Sequence, residues 1–115
     1  MAATLTTIDY AGTPITTLKG ALNSKSLITS VLYEDDDCLI FSTPLTSKVI
    51  KIKVDDNVFS MAYGDAWTSA ETVTKEVIFA SRNNGTTTSL YCIADTTWFF
   101  MAWESTTYLY QGYVG

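Results

Sequence analysis

The chain has 115 residues, 47% of them hydrophobic and only 17% charged, with a formal net charge of −5, no histidine and two cysteines. That length fits one domain able to bury a core without a disulfide or metal framework, and the apolar content excludes a disordered chain. The acidic balance, with no basic run, argues against a nucleic-acid partner, and the longest unbroken apolar stretch, residues 98–103, falls far short of the roughly 20 residues of a membrane-spanning helix.

The N-terminus, MAATLTTIDY, has neither the basic region nor the apolar stretch of a secretory signal, so a cytoplasmic protein is expected. Residues 1–25 are poor in aromatics, rich in Thr and Ala, and punctuated by Gly12, Pro14 and Gly20. They read as an N-terminal arm, extended or holding one short strand.

From Ser26 onward, short apolar runs recur at the 8–12 residue spacing of sandwiches and barrels. The expected fold is all-β, an antiparallel β-sandwich or barrel of about 7–8 strands built from consecutive hairpins over residues 26–115. Residues 26–33 and 38–43 pair through the acidic turn Glu34, Asp35, Asp36 and Asp37, setting Leu32 against Leu39. Residues 48–54 alternate cleanly, and a two-residue turn at Asp56 and Asn57 pairs Val54 with Phe59, Ile52 with Met61 and Ile50 with Tyr63. Lys51 and Lys53 then face solvent or a partner.

A polar connection over residues 64–72 carries Asp65, Trp67 and Glu71 and is long enough to cross between sheets. Asn84 and Gly85 give the strongest hairpin signal in the chain, which would pair Phe79 with Leu90 and Val77 with Cys92. In the last hairpin, Phe99, Met101 and Trp103 share a face with Tyr108 and Tyr110, and Trp98, Phe100 and Ala102 share the other with Leu109 and Gln111. Both faces are apolar, yet a two-layer domain buries only one face of each sheet. The excess asks for a partner surface. Cys38 and Cys92 read as reduced core residues, Cys92 on the more apolar face.

Catalysis is disfavoured. Histidine, the usual acid and base at neutral pH, is missing, and Asp65, Glu71, Asp95 and Glu104 show no spacing that selects a catalytic pair. The runs Asp35, Asp36, Asp37 and Asp55, Asp56, Asn57 lack the spacing of a calcium loop and read as turns. No metal or cofactor is assigned. Asn84, Gly85 and Thr86 formally match a glycosylation sequon but read as a hairpin tip.

Nineteen threonines and ten serines place hydroxyls where a soluble monomer would often carry Lys and Glu, leaving a surface suited to contact. In strand pattern and composition, residues 26–115 resemble small all-β virion proteins of tailed bacteriophages, such as capsid decoration, tail or fibre-associated components. No motif carries the resemblance, so no residue role is transferred. It implies a non-enzymatic subunit of a particle assembled in the host cytoplasm, acting as a homo-oligomer or on other virion proteins. The expected contact residues are Phe99, Met101, Trp103, Tyr108 and Tyr110. The alternative is a carbohydrate-binding sandwich that stacks Trp67, Trp98, Trp103 and Tyr113 on sugar faces.

Overall fold

Period-two alternation gives each strand one apolar face, and two such faces bury each other. A computed structural model of the chain describes residues 3–8, 12–55, 58–82, 87–105 and 109–115. The turns expected at Asp56 with Asn57 and at Asn84 with Gly85 lie outside these residues, as does Tyr108. In chain order the elements are β1 (Thr4–Ile8), α1 (Pro14–Asn23), β2 (Ser30–Glu34), β3 (Cys38–Ser42), β4 (Val49–Asp55), β5 (Val58–Gly64), β6 (Trp67–Ser69), β7 (Thr72–Val73), β8 (Val77–Arg82), β9 (Thr87–Ala94), β10 (Phe99–Ser105) and β11 (Leu109–Val114). They form an all-β antiparallel sandwich. One sheet has the order β1-β9-β10-β11, the other β2-β3-β4-β5-β8, and β6 with β7 makes a separate small hairpin.

The core lies between the two sheets. Phe99, Met101, Trp103, Leu90 and Cys92 of the four-stranded sheet meet Leu39, Phe41, Ile52, Phe59 and Met61 of the five-stranded one, all at most 1% exposed. Burial of side chains this size supplies about 1.5–3 kcal/mol each before the entropy of ordering is counted.

The β4–β5 register is the one expected, with Val54 opposite Phe59, Ile52 opposite Met61 and Ile50 opposite Tyr63. Three expectations need correction. Residues 1–25 hold the one short strand allowed for, β1, but are not an arm: β1 pairs with β9, and α1 buries Ile15, Leu18 and Leu22 against the sandwich. Pro14 suits the first helical turn, where its missing N–H has no bond to make. The ion pair of Lys19 with Glu34 (2.7 Å) ties the helix to β2. Leu32 does not face Leu39; an irregularity between Val31 and Tyr33 puts Glu34 there instead. That extra residue turns both Leu32 and Tyr33 toward the outer cluster.

The third correction concerns β8 and β9, which do not pair with each other. β8 joins β5, whereas β9 lies between β1 and β10, so residues 83–86 connect one sheet to the other. Phe79 therefore never faces Leu90, nor Val77 Cys92. Where the edges β8 and β11 converge, Gly112 admits the facing chain. A Cβ there would sit 2.5 Å from Met61 Sδ and 3.1 Å from Ala80 Cβ.

Candidate functional site

The two outer faces of the sandwich are treated differently. On the five-stranded sheet, Cys38, Ile40 and Val49 point outward and are covered by the β6–β7 hairpin, whose Val73 packs on them. Lysines of β4 fasten that cover. Lys51 Nζ donates to the Glu71 carbonyl (2.6 Å) and to Glu76 Oε1 (2.9 Å), and Lys53 Nζ to Glu71 Oε1 (2.5 Å). The partner of Lys51 and Lys53 is thus the chain's own hairpin. Both cysteines are free and fully buried, and burial pushes each thiol up to about 12.

On the four-stranded sheet the outward positions line up across all four strands. Leu5 of β1 is opposite Ile93 of β9, Ile93 opposite Phe100 of β10, and Phe100 opposite Tyr113 of β11. Leu5 is 61% exposed and Tyr113 58%, with Ile93 and Phe100 half-buried between them. Trp98, half-buried, stacks on Tyr113 with ring centroids 6.3 Å apart. The flanking outward row is Thr7, Tyr91, Ala102 and Gln111. Neither row carries a charge.

Of the contact residues expected from sequence, Phe99, Met101 and Trp103 are corrected. Their row faces the other sheet and is at most 1% exposed, so nothing outside the chain reaches it. Tyr110 stands opposite Trp103 on β11; its side chain, like Tyr108 altogether, lies outside the described residues. The outward row of the same hairpin is the one left to water.

Of the alternative ligand set, Trp98 and Tyr113 come together and Trp103 is buried. Trp67 sits apart on the β6–β7 hairpin, where its indole N–H donates to the Ala70 carbonyl (2.8 Å). The acidic run behaves as a turn: Asp35 accepts from the Tyr33 hydroxyl (2.6 Å) and from the Asp37 backbone N–H (2.8 Å). Among the described residues no group of three or more Cys, Asp or Glu is placed to hold a metal, and no helix is long and apolar enough to cross a membrane.

Compared with known proteins, the chain matches no family model, no curated protein and no solved structure.

Beside Tyr113 the sheets splay into a cleft of about 260 Å³. Ile50, Tyr63 and Phe79 line one wall and Tyr113 the other, with Thr46 and Lys48 at the mouth. Sequence pairing set Phe79 against Leu90, but β8 joins β5 and slips by one residue between its contacts with Met61 and Ala62. The slip lets consecutive Phe79 and Ala80 both pack toward the core.

Proposed function

We propose that this chain is a non-enzymatic assembly subunit that docks through the outer face of its four-stranded sheet, in the manner of small all-β virion proteins. The observation that carries the reading is the Leu5, Ile93, Phe100 and Tyr113 row. On the five-stranded sheet the chain's own hairpin covers Cys38, Ile40 and Val49 and leaves Ile78 exposed at the β8 edge, whereas the row on the four-stranded sheet runs uncovered across all four strands. Exposed apolar rows flanked by uncharged polar positions are a mark of contact surfaces. The occupant we favour is a second copy of the chain. The two rows carry no charge and can face themselves across a two-fold axis, with Glu104 one row beyond Ala102 at the margin of the contact. Capsid decoration, tail or fibre association is the setting that the composition suggests.

The test is Leu5→Lys. Leu5 stands on an edge strand and is mostly exposed, so the substitution leaves the core intact while placing a charge in the contact. It should abolish self-association and leave the unfolding free energy of the single chain, compared at a concentration low enough for the parent to be dissociated too, within about 0.5 kcal/mol of the parent. Association unchanged in this variant would exclude the face.

A second reading, carbohydrate binding, keeps the stacked Trp98 and Tyr113 pair as its platform. It requires tryptophan fluorescence to shift with a sugar, and a flat response across a broad glycan panel removes it.

A further inference from the structure

The cleft between β4, β5, β8 and the end of β11 has walls and a mouth of different chemistry. Tyr63 and Phe79 contact each other with ring centroids 5.9 Å apart. Together with Ile50 and Tyr113 they line an open cleft of about 260 Å³, room enough for one ring and its substituent. The polar side-chain groups at its lining are hydroxyls and the Lys48 ammonium, joined by the backbone of Gly115; among the described residues no Asp, Asn, Gln or Arg lines it. Those planar side chains are the ones that read pairs of sugar hydroxyls.

Lys48 is not neutralised one to one. Its ammonium pairs with Asp65 Oδ1, and Lys75 approaches Asp65 Oδ2 at 3.7 Å. Two ammoniums therefore share one side-chain carboxylate. The neighbouring lysines are matched, Lys51 with Glu76 and Lys53 with Glu71. If Lys48 turns toward a ligand, Lys75 still faces Asp65.

We propose that this cleft binds a small monocarboxylate with a flat apolar body, seating the ring between Tyr63, Phe79 and Tyr113 and its carboxylate on Lys48. Charge-assisted hydrogen bonding at the rim of an apolar pocket fixes the orientation. The cleft shares Tyr113 with the docking row but takes in neither Leu5 nor Ile93, so the titrations are also run in Leu5→Lys, where loss of self-docking and loss of ligand binding are read separately.

The probe is benzoate, titrated into the intact protein and followed by tyrosine and tryptophan fluorescence and by amide chemical shifts, with benzamide as the neutral isostere and glucose as the sugar control. Benzoate should saturate with a Kd of about 1 mM or tighter, the range open to a ligand of this size. Lys48→Met should weaken benzoate at least tenfold, the loss of about one charge-assisted bond, and leave benzamide unchanged. Asp65→Asn removes the competing carboxylate and should tighten benzoate severalfold, a gain that structural damage would not produce. Phe79→Ala should weaken both aromatic probes. A flat benzoate titration overturns the proposal, as does benzamide binding equal to benzoate, or saturation by glucose alone.

Discussion

Phe59 of β5 and Trp103 of β10 meet between the sheets with ring centroids 4.3 Å apart and planes tilted by 47°. This contact fixes which face of the last hairpin is core. Trp103→Ala should cost about 3–5 kcal/mol of stability, read as a lower urea midpoint, and Phe59→Ala a similar amount. Because the rings touch, the double variant should cost less than the sum of the two.

Gly112 sets how closely the β8 and β11 edges approach. Met61 Sδ can swing away from an added Cβ, but Ala80 Cβ is fixed to the β8 backbone. Gly112→Ala should therefore destabilise by about 1–3 kcal/mol, and Gly112→Val by more, in thermal or urea unfolding.

Cys38 and Cys92 are both buried but behind different barriers. Cys92 lies between the sheets, whereas Cys38 lies under the β6–β7 hairpin with Val73. Opening that hairpin is a smaller event than separating the sheets. Thiol labelling of the native protein should reach Cys38 first. Lys51→Met should accelerate Cys38 without changing Cys92, resolved in single-cysteine variants.

Alkaline pH should unfold the protein through the same two thiols. Burial raises both from 9.0 to about 12, so the folded chain holds these protons more tightly than the unfolded one. The contribution is complete below about pH 9, where an unfolded thiol ionises, and is lost as pH rises toward 12. Tyr33, raised to about 12 by its hydrogen bond to Asp35, adds in the same direction. The double variant Cys38→Ala with Cys92→Ala should show a shallower loss of stability between those limits.

The sequence makes some of this legible and hides the rest for physical reasons. β4 and β5 each alternate without interruption and stand only two residues apart in the chain, so their register follows from period two. β2 and β8 each carry an irregularity, and one extra residue reverses the face of everything beyond it. Helix α1 shows Ile15, Leu18 and Leu22 at helical spacing behind Pro14, but Thr16, Thr17 and Gly20 dilute the signal, and no acidic residue marks its first turn. The Asn84 and Gly85 signal speaks only for a local turn and says nothing of which sheet each flanking strand joins.

The candidate face follows the same logic. That the closing hairpin has more apolar surface than one layer can bury is visible from alternation alone; which of its two rows is hidden depends on where the other sheet packs. Leu5 completes the exposed row only because β1 pairs with β9, a contact between residues more than eighty positions apart that no local pattern announces.

The measurement that bears most directly on the assembly reading is the solution mass by sedimentation equilibrium over a range of protein concentrations. Self-docking through the Leu5, Ile93, Phe100 and Tyr113 row predicts a mass at least twice the 12.7 kDa of one chain, falling to the single-chain value in Leu5→Lys. A mass of one chain at every concentration for the parent protein would contradict it.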